Sequence, residues 1–214
     1  MVKLTKSPLP DGIVINSADV YRSGIAFETL INDCHQKCYI CEDKPTSINV
    51  EHIVAHKSDP ALKFDWDNLF IACWHCNNIK STKYDDIINP VLINPEECIA
   101  LSVRISDNFI EAVQVIPLKT DAQALKTAEL LEIVYNGGST AMKKVESANL
   151  RNEHLLPDIK LFLKYISDYI DEPDLGYDSI IRQEISCSAK FAAFKRRIIA
   201  EDTELSVAFA DALA

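Results

Sequence analysis

Four of the seven cysteines fall into two pairs whose spacing suits a metal ion. The pairs are Cys38-Tyr39-Ile40-Cys41 and Cys73-Trp74-His75-Cys76. Two thiolates at this spacing can reach one ion, and four thiolates form the ligand set of a tetrahedral structural zinc site. We therefore predict one Zn²⁺ site, with Cys38, Cys41, Cys73 and Cys76 as its ligands. Buried free thiols or a redox pair would give the same spacing and are the alternative interpretation.

The segment that links the two pairs holds further polar residues in a definite order. Glu51 and His52 are adjacent on a predicted strand, and Asn68 lies in the loop that follows. Asn77 comes directly after the last cysteine, at the start of a predicted helix. The order acid-His, Asn-Leu and CxxC-Asn-x-x-Lys, with the other CxxC ahead of it, resembles the HNH endonuclease family in its four-cysteine zinc form. The resemblance covers about residues 38–84 and implies a ββα-metal core.

This resemblance implies a metal-dependent endonuclease that hydrolyses phosphodiester bonds. His52 matches the general base, and a neutral imidazole with an ordinary pKa of about 6.5 suits proton transfer near neutral pH. Glu51 and Asn77 match the positions that bind the catalytic ion, and their oxygen atoms suit Mg²⁺ or Mn²⁺. Asn68 matches the family's central Asn, which braces the loop and orients the base.

Lys80, Lys83 and His56 are the candidates for contact with the nucleic acid. The two lysines are three residues apart on the predicted helix, so both could touch phosphate from one face. His56 could bind phosphate or supplement the metal site, and a purely structural role suits it equally well. His75, inside the second cysteine pair, is expected to be packed or exposed rather than a ligand.

The site departs from the family pattern at two positions. Glu51 stands where the family usually has Asp, and Asn77 stands where it often has His. Fewer nitrogen ligands should make metal binding weaker, and Asn77 could instead serve only as a helix cap. Strand alternation would place His52 and His56 on one face and Glu51 on the other, so the strand must end or bulge for all of them to serve one site.

The hydrophobic pattern predicts an α+β fold, in which a zinc module of mixed structure with a β-hairpin precedes a mainly α-helical C-terminal region. The family resemblance implies that this zinc module has the ββα-metal core. We place the nuclease module at residues 1–117 and the helical region at residues 118–214. The predicted hairpin is joined by Ser106-Asp107-Asn108, and helical spacing dominates after Asp121. The predicted elements are a helix from Ser17 to about Gln36, strands at Ile48–Val54 and Leu69–Ala72, a helix at Asn77–Ile87, hairpin strands at Cys98–Ile105 and Phe109–Ile116, and a helix at Ile180–Ile199.

The composition indicates a globular chain that is acidic. The 214 residues include 48% hydrophobic and 25% charged residues, and 22 Lys and Arg against 32 Asp and Glu give a net charge of -10. Such a chain binds a polyanion poorly by itself, so a local basic patch or a basic partner must supply the attraction. Without a signal peptide or a long apolar run, we expect a cytoplasmic protein with no membrane contact and no disulfide framework.

The order of features resembles one branch more closely, the HNH subunit of Septu-type antiphage systems, which is also found beside some retrons. The segments that carry this second resemblance are Val50-Glu51-His52, Asp65-Trp66-Asp67-Asn68-Leu69, Ile88-Asn89-Pro90, Glu129-Leu130-Leu131-Glu132-Ile133 and Leu150-Arg151. It implies a DNA substrate and an ABC-type ATPase partner that senses infection and restrains the nuclease. The helical half would dock that partner, or would merely form a second core, and the subunit could be a homodimer within the complex.

Three other functions stay open at this point. The first is a stand-alone HNH nuclease of restriction or mobile-element type, which would need no ATPase. The second is a zinc-ribbon adaptor that binds nucleic acid or protein without catalysis. The third is a zinc redox switch, which would show thiol reactivity and no nuclease activity. An adaptor has no need of the Glu51-His52, Asn68 and Asn77 set, which argues against the second.

Overall fold

Small antiparallel sheets and short helices form the first half of the chain, and helices form the second half. The computed structural model describes residues 1–106, 108–138 and 140–213. The elements in chain order are α1 (Ala18–Arg22), α2 (Gly24–Asp33), β1 (Ile48–His52), α3 (Pro60–Lys63), β2 (Leu69–Cys73), α4 (Trp74–Lys80), β3 (Ile99–Ser106), β4 (Phe109–Pro117), α5 (Ala122–Asn136), α6 (Ala141–Asn149), α7 (Leu156–Asp171), α8 (Tyr177–Glu184), α9 (Ala192–Glu201), α10 (Thr203–Ala208) and α11 (Ala210–Leu213).

The strands β1 and β2 and the helix α4 form the unit that carries the predicted site. β1 pairs with β2 in antiparallel register, with Glu51 opposite Phe70 and His52 opposite Leu69. β2 is buried along its whole length and leads directly into α4, which packs against both strands. This unit of two strands and a helix confirms the predicted α+β class. The helices that follow β4 confirm the predicted helical C-terminal part.

The second sheet is the predicted hairpin of β3 and β4. The strands pair from Ile99 opposite Pro117 to Ser106 opposite Phe109, with a register shift between Arg104 and Ile105. Asp107, in the middle of the predicted turn, lies outside the described residues. The side chain of Asn136 on α5 bonds both backbone groups of Val113, so α5 covers the free edge of β4.

Three predicted helices have different bounds in the structure. The helix expected from Ser17 to Gln36 is divided into α1 and α2, because Ser23 is extended and Gly24 has a φ of +62°. The helix expected at Asn77–Ile87 is α4, which begins earlier because the Cys73 sulfur accepts a hydrogen bond from the Cys76 N–H. It ends at Lys80, because Ser81 adopts a φ of 45°.

The third difference concerns the predicted helix at Ile180–Ile199. The structure has α8 and α9 there, separated by turns around Ser186 and by Phe191, whose φ is 50°. This break turns Lys195 of α9 into the interior, where it pairs with Asp158 and Glu184.

One main hydrophobic core extends across the predicted boundary at residue 117. It contains Ile40, Leu69 and Phe70 from the nuclease module and also Val134 and Phe194 from the helical region. A smaller core lies among the C-terminal helices and is formed by Phe162, Ile166, Ile181, Ile185, Ile199, Leu205 and Phe209. The division at residue 117 stays a prediction, and the shared core means that the two parts pack as neighbours rather than as separated units.

The described helices include no membrane-spanning candidate, since none combines sufficient length with sufficient apolar character.

Candidate active site and metal centres

The four predicted zinc ligands come together in the structure. The sulfur atoms of Cys38, Cys41, Cys73 and Cys76 lie within 4.8 Å of one another, and those of Cys41 and Cys73 are 3.9 Å apart. Four thiolates around Zn²⁺ at Zn–S distances of about 2.3 Å would stand roughly 3.8 Å apart. The cluster therefore fits a structural zinc ion in ligand type, ligand number and spacing.

Two hydrogen bonds connect the cysteine pairs to the helical region. The Tyr135 hydroxyl donates to the Cys41 carbonyl at 2.8 Å, and His75 Nε2 donates to the Val134 carbonyl at 2.9 Å. His75 is thus packed against α5 and is no part of the sulfur cluster. Both bonds tie the metal-binding segments to the same helix, α5.

His52 is the last residue of β1, and one of its nitrogens is fixed by a hydrogen bond. Nε2 lies 3.0 Å from the carbonyl oxygen of Lys63. Because a carbonyl only accepts, Nε2 must carry the proton, and the lone pair on Nδ1 of the neutral ring has no hydrogen-bond partner among the described residues. The edge of the ring packs at 88° against Tyr21, with the centroids 5.8 Å apart. The geometry therefore defines Nδ1 as the basic atom of His52.

The surroundings of His52 favour its neutral form. Burial lowers the pKa of His52 below its ordinary value of 6.5, and the bond to Lys63 opposes this only partly. Electrostatic interactions with His56, Lys80 and Arg22 lower the pKa of His52 further. A histidine in this environment is unprotonated near neutral pH, as a general base must be.

Glu51 and Lys80 form an ion pair beside His52. Lys80 Nζ lies 2.7 Å from Glu51 Oε1 and donates to the His52 carbonyl at 2.8 Å. The Lys80 side chain has 0% exposure, so it does not reach the surface where phosphate would bind. In this conformation α4 turns Lys80 inward onto β1 and not toward the nucleic-acid surface, so our assignment of Lys80 to that surface stays a prediction.

The pKa of Glu51 is raised despite its positive partner. Burial is the largest cause, Lys80 lowers the pKa, and the negative charge of Asp85 raises it. Asp85 also accepts from the Ala55 N–H at 3.0 Å and pairs with Lys57 at 2.8 Å. Glu51 is thus the carboxylate paired with the Lys80 ammonium, and Asp85 interacts with Lys80 through its charge.

Asn68 has the bracing position that the family resemblance implies. It is buried, its Oδ1 accepts from the Val54 N–H at 2.8 Å, and its Nδ2 donates to the Val54 carbonyl at 2.9 Å. Nδ2 also donates to the Leu62 carbonyl at 2.9 Å. One side chain thus holds both the loop after His52 and the segment that ends in Lys63.

The remaining predicted residues differ in how closely they approach His52. The ring of His56 lies 4.8 Å from that of His52, which agrees with their expected common face. Asn77 is half-buried on α4 and cannot be the cap of this helix, because Cys73 holds that position. Lys83 is 64% exposed and 3.5 Å from Glu129.

A catalytic cation fits the donors at this site in chemical type. Glu51 and Asn77 offer the oxygen atoms that Mg²⁺ and Mn²⁺ prefer. No hydrogen bond joins these two residues within the described part of the chain, and Glu51 Oε1 is already paired with Lys80.

Tyr21, Arg22 and Asp85 are neighbours of the site that the sequence did not reveal. The first two approach His52 from α1, about thirty residues upstream of the motif, and Asp85 follows α4. No local spacing connects them with the acid-His pair. Only the tertiary fold brings them there.

Comparison with known proteins agrees with this geometry. Residues 32–83 match the family model described as HNH endonuclease, and the matched range includes every residue that we predicted for the site. The chain is also 27% identical over 125 residues to the Septu protein PtuB of Bacillus thuringiensis. That alignment covers 55% of this chain and 47% of the relative, so the chain spans about half the length of the curated protein it matches. Residues 32–83 are therefore similar to the HNH endonuclease family, and part of the chain is similar to the Septu protein PtuB.

Proposed function

We propose that this protein is a metal-dependent endonuclease that cuts DNA and serves as the effector subunit of a cytoplasmic antiphage defence complex under the control of an ABC-type ATPase. The observation that carries the nuclease part is the state of His52 inside the matched domain. Its Nε2 is fixed on the Lys63 carbonyl, and its Nδ1 is free to accept a proton.

The side chains have separate tasks in this reaction. His52 accepts a proton at Nδ1 from the attacking water, and the Lys63 carbonyl holds the ring in the orientation for this transfer. Asn68 holds the Lys63 segment and the loop after His52 in a fixed position relative to each other. Glu51 and Asn77 hold the divalent cation, which when bound supplies a Lewis acid for the phosphate and the leaving oxygen.

DNA binding depends on a few exposed positive groups together with a partner. The chain as a whole carries a net charge of -10, which opposes nonspecific attraction to DNA. Arg22 and Lys83 are exposed, and His56 lies beside His52. We assign phosphate contact to Lys83 and His56, and we expect a basic groove on the partner to supply the rest of the attraction.

The defence role rests on the similarity to the Septu protein PtuB. The C-terminal helices carry exposed apolar side chains that suit docking of the ATPase or of a second copy of the chain. Examples are Ile170 at 63% and Leu175 at 65% exposure. The partner-dependent arrangement differs from the stand-alone nuclease in one respect that can be measured, which is the requirement for the ATPase.

Cleavage of DNA by paired variants tests the proposal. Plasmid and single-stranded DNA are incubated with Mg²⁺ or Mn²⁺ and with the wild type, His52→Ala or the control His154→Ala, with and without proteins from neighbouring genes. His154 is 47% exposed and pairs with Asp43, away from His52. We expect cutting by the wild type and by His154→Ala and none by His52→Ala.

Each other outcome selects a different function. Cutting that needs no ATPase would favour a stand-alone nuclease. If RNA and tRNA are supplied in parallel reactions, cutting of these and not of DNA would make RNA the substrate in place of DNA. Absence of cutting under every condition, with zinc bound and the fold intact, would favour the zinc-ribbon adaptor.

A further inference from the structure

The ammonium group of Lys80 occupies the position of a cation at the proposed metal-binding carboxylate. Its Nζ lies 2.7 Å from Glu51 Oε1 and 2.8 Å from the His52 carbonyl oxygen. The side chain has 0% exposure, although it belongs to the last residue of a short helix. Lysine side chains are seldom fully buried without a partner, and here Glu51 supplies the opposite charge while the His52 carbonyl accepts a hydrogen bond.

A divalent ion and this ammonium cannot both be close to Glu51 without strong repulsion. Interactions between charges a few ångströms apart are strong in a site shielded from water. Glu51 has a side-chain exposure of only 12%, so bulk solvent screens it poorly. Asp85 adds a second negative charge near the same amine. The carboxylates therefore attract both the divalent ion and the Lys80 ammonium. In the folded chain the Lys80 ammonium is the cation paired with Glu51.

We propose that Lys80 is a resident counter-cation that competes with the divalent ion for Glu51, so that the Lys80–Glu51 pair must open before the metal is held. This inference rests on the proposed metal-dependent function and adds a restraint to it. The restraint is an autoinhibitory contact within the HNH domain, and any event that draws Lys80 away from Glu51 would favour loading of the ion. If Lys80 instead served only to orient Glu51 for the metal, its removal would weaken metal binding.

The opposite signs of these two effects allow a direct test by Mn²⁺ binding. Electron paramagnetic resonance of zinc-loaded protein gives the Kd for Mn²⁺ in the wild type, Lys80→Met, Glu51→Gln and the control Lys195→Met. Lys195 is also buried and paired with two carboxylates, Asp158 and Glu184, but it lies in the helical region. Zinc content and melting curves show whether each variant is folded.

We expect Lys80→Met to bind Mn²⁺ roughly tenfold more tightly and Glu51→Gln to bind it at least about tenfold more weakly, where tenfold corresponds to about 1.4 kcal/mol. Lys195→Met should match the wild type. Equal or weaker binding by folded Lys80→Met would overturn the competition. If Glu51→Gln bound Mn²⁺ like the wild type, the assignment of Glu51 as a metal ligand in the proposed function would fail, and the competition with it.

A second measurement uses the unaltered protein, in case Lys80→Met does not fold. Nitrogen-15 NMR of the lysine ammonium groups is recorded while diamagnetic Mg²⁺ is added to zinc-loaded wild type. The Lys80 signal should shift and lose its protection from exchange with water, while the Lys195 signal stays unchanged. A Lys80 signal that keeps its position and protection after Mg²⁺ has bound would overturn the proposal and leave the metal-dependent function intact.

Discussion

The side chain of Asn68 bonds both backbone groups of Val54, with the Val54 N–H donating at 2.8 Å and the Val54 carbonyl accepting at 2.9 Å. This arrangement imitates the pairing of two strands at a point where β1 has already ended. The third bond, from Nδ2 to the Leu62 carbonyl, joins the same side chain to α3. The next residue of α3, Lys63, supplies the carbonyl that orients His52. Asn68 therefore acts on the base through the backbone.

Asn68→Asp should be destabilising and should also reduce activity. An aspartate keeps the acceptor but loses the amide donors to two backbone carbonyls, which should lower the free energy of unfolding by about 2 kcal/mol. Chemical denaturation measures the loss, and the cleavage rate should fall through disorder of His52. The matched control is Asn94→Asp, because among the described residues the Asn94 side chain acts as an acceptor alone, from the Glu96 N–H. Equal stabilities for the two variants would contradict the role of the Asn68 donors.

The pH dependence of cleavage should report the depressed pKa of His52. Burial and nearby positive charge lower this pKa below 6.5, so the active neutral base should persist into mildly acidic solution. We expect the acidic limb of the kcat/KM profile to lie below pH 6.5. His56→Gln removes one of the positive charges and should move that limb upward. A wild-type limb at or above pH 6.5 would contradict the inferred environment.

The lowered pKa of His52 also makes the stability of the fold depend on pH in a defined direction. Because the pKa of His52 is lower in the folded state than in the unfolded state, the unfolded chain takes up the proton more readily. The contribution of His52 to stability is therefore complete above about pH 6.5 and declines as the pH falls from there toward the folded pKa. Denaturation of the wild type and His52→Gln at several pH values should show their difference shrinking in acid.

Zinc removal should affect the entire main core. Cys73→Ser should reduce zinc content and melting temperature together, since a structural zinc site contributes several kcal/mol and each kcal/mol corresponds to about 2–4 °C in a chain of this size. Atomic absorption and thermal melting by circular dichroism measure both. Cys98→Ser is the control, because Cys98 is buried outside the sulfur cluster. An unchanged zinc content in Cys73→Ser would contradict the predicted four-cysteine zinc site.

Local spacing explains why part of the site could be predicted from the sequence. The cysteine pairs, the adjacent Glu51 and His52, and Asn68 are set by the short ββα unit, and their order alone indicates it. Side-chain alternation required β1 to end or to bulge if Glu51, His52 and His56 were to serve one site, and β1 does end at His52. The lone-pair assignment to Nδ1, by contrast, needed the Lys63 carbonyl, which no pattern identifies.

The prediction for Lys80 shows where spacing becomes insufficient. A spacing of three residues places Lys80 and Lys83 on one helix face only while the helix continues. α4 ends at Lys80, so the two lysines diverge, one buried against Glu51 and the other 64% exposed. Likewise Tyr21 and Arg22 approach His52 from α1, about thirty residues upstream. Such contacts depend on the tertiary path of the chain.

Lys83 should affect DNA binding without affecting the chemistry or the fold. Its contact with Glu129 is a surface ion pair at 3.5 Å, so Lys83→Ala should change stability by no more than about 0.5 kcal/mol. Loss of one phosphate contact should raise KM for DNA several-fold, leave kcat unchanged and reduce the slope of log Kd against log salt by about one. Lys164→Ala is the matched control, because Lys164 is 65% exposed and pairs with Asp168 on α7, in the helical region. Salt-dependent binding curves that coincide for the two variants would show that Lys83 makes no contact with phosphate.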